Sequence, residues 1–187
     1  MRTVLVAFLL MVHSIIAQDS LSRQYLSYMN IYRFLHNLPV LEYHMQLDSL
    51  AIIRLIESAK GVDDCFEDPN FNGVCKDSIR DLHFRFQTTV NDYHSKNSKT
   101  TVTGENMAVI GEFGYYSPRF TFMIRRSNLH VPLQNIAESF LKSWIESPKH
   151  NELLLNTHAN RCAFRVYRTM HQDKPWIHAI FLAGYTK

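Results

Sequence analysis

The sequence predicts an α+β domain in which helices come first and antiparallel strands come last. Before residue 148, apolar side chains recur every three or four residues, as on the buried face of a helix. After residue 160, polar and apolar residues alternate, and a nearly continuous apolar run follows, as in strands. The length of 187 residues suits one packed domain of helices layered on a sheet.

The first two helices are predicted from apolar stripes with recognisable ends. The first stripe follows a capping Asp19 or Ser20 and consists of Leu21, Tyr25, Tyr28, Tyr32 and Leu35. Pro39 ends this helix, because proline cannot continue the helical hydrogen bonds. The second helix runs from about Gln46 to Lys60, and Gly61 is expected to stop it. Its inward face carries Leu47, Leu50, Ala51 and Leu55.

Two further helices follow the same rule. The third carries Ile79, Leu82, Phe86 and Val90 at helical spacing. The fourth begins at Pro132 and ends at Pro148, and Trp144 is expected to pack inside the domain. Its inward stripe is Leu133, Ile136, Ala137, Phe140, Leu141 and Trp144.

Two strands close the chain. The segment "RCAFRVYR", residues 161–168, alternates Cys162, Phe164 and Val166 with arginines. The run "PWIHAIFLAGY", residues 175–185, is apolar almost throughout, which indicates a strand covered on both faces. His178 lies in this run, and we expect it to be a hydrogen-bonded core residue.

Charge and targeting signals limit the function classes. Lysine and arginine number 20 against 17 acidic residues, and no basic cluster indicates a nucleic-acid partner. Residues 1–17 have one arginine, an apolar stretch too short to span a bilayer, and Ala17 at a suitable cleavage position. We therefore interpret residues 1–17 as a secretory signal peptide. Residues 18–187 are then a single secreted, extracellular domain without a transmembrane segment.

Three cysteines remain in that oxidising setting. Cys65 and Cys75 enclose the turn-rich loop "CFEDPNFNGVC" and are the natural disulfide pair. Cys162 is interpreted as a buried apolar cysteine on a strand, with an intermolecular bridge as the alternative. No cysteine or histidine spacing indicates a zinc finger.

Two segments before the fourth helix each admit two interpretations. In "TGENMAV", residues 103–109, the glycine and asparagine fit a turn with Glu105 as a surface charge, and a role in a functional cleft is the alternative. Residues 111–130 combine aromatic residues with three arginines. They fit either an extra hairpin over the core or an exposed surface that contacts a partner, a lipid or a membrane.

Several short motifs occur in a recognisable order. "MNIYR" at residues 29–33 is followed by Pro39 and Leu41, and then by Leu47 with Ala51. "HSKNSKTTVTGEN" begins at His94, and "SWIESPKH" ends at His150. In this order they resemble the H-N-x-Y-R, P-x-L, L-x-x-x-A, H-S, G-E-N and W-x-x-S-P-x-H segments of the CAP family. That family comprises the cysteine-rich secretory proteins, antigen 5 and pathogenesis-related plant proteins, and the resemblance extends from about Ser22 to the final strand.

The resemblance implies a three-layer α-β-α sandwich with a small antiparallel sheet between helical layers. It also implies a central cleft, in which His94 and Glu105 face His150. Asn106 would then hold the turn that aims Glu105. Two imidazoles and a carboxylate suit a divalent metal, so zinc is the expected cofactor.

The sequence departs from the family pattern in the fourth helix. The family's second glutamate lies three residues after the tryptophan, and that position is Ser147 here. Glu146 is adjacent, but a shift of one residue turns a helical side chain by about 100 degrees, so Glu146 is not counted among the cleft ligands. The family's G-H-Y-T-Q motif is absent, as are its dense disulfide set and its cysteine-rich extension.

These patterns favour a secreted, non-enzymatic protein. It is expected to bind a small apolar ligand, a sterol or fatty acid by resemblance, or an extracellular protein partner. The alternative is a metal-assisted hydrolase or protease with Glu105 as general base and a zinc-bound water as nucleophile. No HExxH helix or GxSxG elbow supports that alternative. A structural or signalling role is the third hypothesis.

Overall fold

The computed structural model describes residues 20–67, 85–93, 100–111, 114–115, 133–171 and 174–186. In chain order, the elements are α1 (20–35), β1 (Glu42–Tyr43), α2 (Met45–Glu67), α3 (85–93), β2 (Thr100–Gly111), β3 (Gly114–Tyr115), α4 (Leu133–Ile145), α5 (Pro148–Leu154), β4 (Arg161–His171) and β5 (Lys174–Thr186). The two predicted terminal strands are therefore confirmed as β4 and β5. The predicted signal peptide, His94 and Cys75 lie outside the described residues.

A sheet in the order β1-β4-β5-β2-β3 forms the middle layer. The pairs β4–β5, β5–β2 and β2–β3 are antiparallel, whereas β1 adds two residues parallel to β4. Helices α1, α4 and α5 cover one face of the sheet, and α2 and α3 cover the other. The predicted α+β class and α-β-α sandwich are confirmed, with the short parallel pair as an addition.

The central strand β5 is buried on both faces, as predicted. Phe181 and Ala183 pack toward α1 and α4, whereas Ile180 and Leu182 pack toward α2. This alternation follows from the two-residue period of a strand.

The α1 and α4 side of the sheet contains a cluster of aromatic rings. Tyr25 of α1 stacks on Phe164 at 3.9 Å between ring centroids, and Trp144 of α4 meets the Tyr25 ring edge-on at 5.8 Å. Cys162 is free and buried on the same face, as predicted. Burial raises the pKa of its thiol to about 12, so the group stays protonated.

Helix α1 ends before the predicted proline. Asn37 has a left-handed φ of 57°, and the Leu38 amide donates to the Arg33 carbonyl, which together close a Schellman-type end. Leu35, predicted to face inward, is 71% exposed. That prediction is wrong because Arg33 takes the inward position near this end of the helix.

Helix α2 continues through Gly61 to Glu67, so the predicted stop at Gly61 is wrong. A buried glycine inside a helix costs about 1 kcal/mol relative to alanine. The following residue offsets this cost, because Val62 packs against Val109 and Trp176 of the sheet.

Pro148 begins a helix rather than ending one. Helix α4 stops at Ile145, and Pro148 is the first residue of α5, where a missing amide proton is tolerated. Among the described helices, none is long and apolar enough to cross a bilayer.

Candidate functional site

The "TGEN" segment lies inside strand β2 rather than in a turn. The pairing register with β5 shifts between Val102 and Gly104, and regular pairing resumes with Gly104 opposite Ala183. The interpretation of this segment as a turn is therefore wrong. Its glycine and asparagine, which favour turns in isolation, are accommodated by this bulge and by contacts with helix α5.

Strand geometry sends the side chains of Glu105 and Asn106 to opposite faces of the sheet. Glu105 lies on the α2 side and contacts Arg54. Asn106 lies on the α5 side, where its amide nitrogen donates to the His150 carbonyl at 3.0 Å. Asn106 therefore ties β2 to α5, which is a different role from holding a turn.

The Glu105 carboxylate forms a two-pronged ion pair with Arg54. Arg54 Nε donates to one carboxylate oxygen at 2.7 Å, and Arg54 Nη2 donates to the other at 3.0 Å. The Glu105 side chain is 2% exposed and that of Arg54 is fully buried. Both carboxylate oxygens are thus engaged by a guanidinium in a dry environment.

The same guanidinium contacts two more groups, Glu57 and the Phe86 ring, and Glu57 extends the network to α3. Arg54 Nη1 donates to Glu57, and the other oxygen of Glu57 accepts from the Thr89 hydroxyl of α3 at 2.8 Å. The Arg54 guanidinium carbon also lies 5.5 Å from the centre of the Phe86 ring. Burial lowers the pKa of Arg54, but hydrogen bonds and the charges of Glu105 and Glu57 outweigh it, so the pKa is raised. This network, which we call the Arg54 cluster, holds β2, α2 and α3 together.

His150 lies on the opposite side of the sheet from the Arg54 cluster. It belongs to α5, whose Leu153 packs so closely on β2 that a Cβ added to Gly104 would lie 2.7 Å from Leu153 Cδ1. Gly104 therefore permits the close approach that lets Asn106 reach His150. The main chain of His150 and the side chain of Glu105 are separated by the sheet.

The remaining predicted site residues are only partly described. His94, Cys75 and residues 112–113 and 116–132 lie outside the described residues, as does the side chain of Cys65. Glu146 is exposed in the bend between α4 and α5. Within the described part of the chain, no three His, Cys, Asp or Glu side chains are grouped closely enough to hold a metal ion. A zinc site that includes His94, the Cys65–Cys75 disulfide and a contact surface at 111–130 stay predictions.

The "MNIYR" motif forms contacts that sequence reasoning did not assign. Asn30 exchanges two hydrogen bonds with the main chain of Leu41, at 2.8 and 3.0 Å. Tyr32 donates its hydroxyl proton to Asn151 of α5 at 2.9 Å. The fully buried Arg33 donates to main-chain carbonyls of Pro39, Leu154, Asn156 and Ala159. These residues lock the end of α1 to α5 and to the segments that precede β1 and β4.

His178 is a hydrogen-bonded core histidine, as predicted. Its Nδ1 lies 2.8 Å from the Ser58 hydroxyl of α2, and its Nε2 lies 3.0 Å from the Thr169 hydroxyl of β4. Ser58 and His178 are both fully buried. The three residues join α2 to the sheet one turn beyond Arg54.

The described surface is unusually apolar in one part of the chain. Of eleven exposed large apolar side chains in the described residues, nine lie between residues 31 and 56. Four of them surround the end of α1, each more than half exposed: Ile31, Phe34, Leu35 and Val40. We call these four the α1 end surface. Of the adjacent charged residues, Arg33 is buried and Glu42 pairs with Arg161 at 2.6 Å.

The sequence matches no family model and no curated protein. Among solved structures, an outer surface protein from Borrelia burgdorferi is 17% identical with a TM-score of 0.45, over 86% of this chain and 89% of that one. A cysteine-rich secretory protein from Staphylococcus aureus is 17% identical with a TM-score of 0.47, over 88% of this chain and 39% of that one. An extracellular protein containing a SCP domain from Bacillus anthracis is 16% identical with a TM-score of 0.38, over 87% of this chain and 41% of that one. At these values the likeness carries no ligand, activity or site residue over to this chain.

Proposed function

We propose that this chain is a secreted, divergent CAP protein that binds a small apolar ligand or a protein partner and is not an enzyme. The ordered motifs and the three-layer fold support the family. The apolar segment at residues 1–17 supports secretion. The observation that carries the binding function is the α1 end surface.

The α1 end surface has the properties of a binding surface. Ile31, Phe34 and Leu35 lie at positions i, i+3 and i+4 of one helix, so they share a face. Val40 follows in the segment that Asn30 and Arg33 hold beside that helix. Single exposed apolar residues are ordinary, whereas grouped ones mark interaction sites. A ligand that covers them gains roughly 25 cal/mol for each Å² of apolar area removed from water.

The geometry of Glu105 weighs against the hydrolase alternative. A general base needs a carboxylate that can reach a water molecule and accept its proton. Glu105 has both oxygens bound by Arg54 and almost no exposed area. Its side chain also lies across the sheet from the main chain of His150. The binding hypothesis requires neither a free base nor a shared metal.

The proposal that the chain binds a small apolar ligand is tested on residues 18–187 with a fluorescent fatty acid and a fluorescent sterol, each displaced by its unlabelled counterpart. We expect saturable binding that Phe34→Asp and Leu35→Asp abolish. Met170→Asp is the matched control, because Met170 is comparably exposed but lies far away on β4. No binding by the wild-type chain refutes the small-ligand version, and equal loss in the control variant refutes the α1 end surface as the site.

His94 and His150 are the proposed zinc ligands, and calorimetric titration with zinc tests them. We expect one-to-one binding that His94→Ala and His150→Ala each remove. Binding should persist in Glu105→Gln, because the Arg54 cluster already engages that carboxylate. Absence of saturable zinc binding by the wild-type chain refutes the metal site, and loss of binding in Glu105→Gln refutes the assignment of ligands.

A further inference from the structure

Helix α2 is apolar on its outer side as well as on its buried side. Met45, Ile52 and Ile56 lie within about 20 degrees of one line along the helix, and Ile53 flanks them. All four are exposed, from 41% for Ile53 to 77% for Met45. The opposite side packs on the sheet through Leu47, Leu50, Ala51 and Leu55. A helix with apolar residues on both sides is suited to burial on both sides.

Strand β4 contributes Tyr167 beside this stripe. Asp48 of α2 pairs with Arg165 of β4 through two bonds of 2.5 Å. Ile52 lies four residues after Asp48 on the helix, and Tyr167 lies two residues after Arg165 on the strand. Each step covers about 6 Å, so Ile52 lies near Tyr167. Tyr167 is 49% exposed. We call Met45, Ile52, Ile53, Ile56 and Tyr167 the α2 outer surface.

The size of the α2 outer surface matches one half of a protein–protein interface. Added together, the exposed fractions of its five residues equal between two and three fully exposed side chains. If a large side chain exposes on the order of 180 Å², the exposed apolar area of this surface is roughly 500 Å². A standard interface buries about 800 Å² on each partner, of which about 60% is apolar, so it also needs roughly 500 Å².

We propose that the α2 outer surface binds a second copy of this chain, with two α2 helices packed antiparallel about a two-fold axis. The five residues carry no charge, and the nearby Asp48 and Arg165 neutralise each other. Two copies can therefore pack through these five residues without removing an unpaired charge of the five from water. This inference does not rest on the ligand proposed for the α1 end surface.

Charge placement favours the antiparallel arrangement. Two exposed charged residues follow Ile56 on this side of the helix: Lys60, about 60 degrees from the line through Met45, and Asp63, which lies on it. A parallel pair would bring the two Lys60 ammonium groups together, and likewise the two Asp63 carboxylates. An antiparallel pair centred between Ile52 and Ile56 instead sets Lys60 level with Asp48 of the second copy and Asp63 level with its Met45. In that arrangement Ile52 faces Ile56 of the second copy. Like charges are kept apart only in the antiparallel form.

Sedimentation equilibrium of residues 18–187 measures the association. We expect a reversible dimer whose dissociation constant rises about tenfold or more in Ile52→Glu and in Ile56→Lys, since each buries a charge against an apolar side chain. Met170→Glu is the control and should leave dimerisation unchanged, because Met170 is 64% exposed on β4 and belongs to neither named surface. Circular dichroism melting confirms that each variant is folded.

Mixing the two charged variants decides the geometry. In an antiparallel pair, the carboxylate introduced by Ile52→Glu in one chain faces the ammonium introduced by Ile56→Lys in the other, so an equimolar mixture should dimerise more tightly than either variant alone. A wild-type chain that stays monomeric at its highest soluble concentration overturns the proposal. So does a dimer that persists in both variants, because its interface then lies elsewhere. Lack of rescue in the mixture overturns the antiparallel arrangement.

Discussion

The substitution Glu105→Gln isolates the charge of the Arg54 cluster. Glutamine keeps the shape of the side chain and one acceptor oxygen, but it replaces the other oxygen with an NH₂ group that faces a guanidinium donor. Arg54 is fully buried and would lose half of its paired charge, because Glu57 remains as its second carboxylate. The variant should therefore fold and be measurably less stable.

The expected magnitude follows from burial. Removing one partner of a buried ion pair costs about 3–5 kcal/mol. Glu57 still neutralises Arg54, although its side chain is 26% exposed and its contribution is screened by solvent. We therefore expect Glu105→Gln to lower the free energy of unfolding by about 2–3 kcal/mol. In a domain of this size that loss lowers the Tm by about 5–10 °C.

Urea denaturation followed by circular dichroism measures this loss. Glu57→Gln is the matched control, and because its side chain is partly exposed we expect a loss of about 1 kcal/mol or less. The triple variant Arg54→Leu, Glu57→Gln and Glu105→Leu removes all three charges and should recover most of the stability, since it leaves no charge of the Arg54 cluster without a partner. A loss below about 0.5 kcal/mol in Glu105→Gln would refute the buried two-pronged pair.

Three further outcomes follow from the packing. Gly104→Ala should lower the free energy of unfolding by about 1–2 kcal/mol, because the new Cβ meets the movable end of Leu153. Gly184→Ala should lower it more, because the new Cβ would lie 2.6 Å from a main-chain oxygen of β2, and urea titrations of both variants measure the difference. Arg33→Lys should cost about 2–4 kcal/mol in the same titration, since one ammonium cannot reach the carbonyls that the guanidinium holds. Burial raises the pKa of the Cys162 thiol to about 12 from its ordinary value of 9.0, so the unfolded chain loses this proton at a lower pH than the folded chain. The free energy of unfolding should therefore fall as pH rises from about 9 to 12. Thermal melts across that range should show a smaller fall in Cys162→Ala.

The elements with a clean apolar pattern were predictable from the sequence. Strands β4 and β5 match the expectation, because burial of apolar side chains determines their periodicity. The α4 stripe matches it from Ile136 to Trp144. Strand β2 was missed, since its first residues are polar or small and it contains a bulge. The inward face of α1 was misjudged near its end, because Arg33 is buried by hydrogen bonds that an apolar pattern does not reveal.

The candidate site was less predictable than the fold, for a physical reason. Residue types at a given spacing specify which groups are available, but strand alternation decides which face each group reaches. Glu105 and Asn106 are adjacent in the sequence and yet lie on opposite sides of the sheet. The partner of Glu105 is 51 positions away, in a helix that had been interpreted only by its apolar stripe. No local signal in "TGEN" identifies Arg54.

The chemistry of Glu105 therefore depends on the residue at position 54 more than on the tripeptide around it. A carboxylate beside an apolar or neutral residue on α2 could accept a proton or bind a cation, whereas one beside a buried guanidinium is already neutralised. Asn106 is affected differently, because its side-chain amide donates to the main-chain carbonyl of His150 on the other face. The segment thus keeps β2, α2 and α5 together through the Glu105 ion pair on one face and the Asn106 hydrogen bond on the other. For this reason the proposed activity lies on the surfaces of α1 and α2 rather than at the carboxylate that first suggested a site.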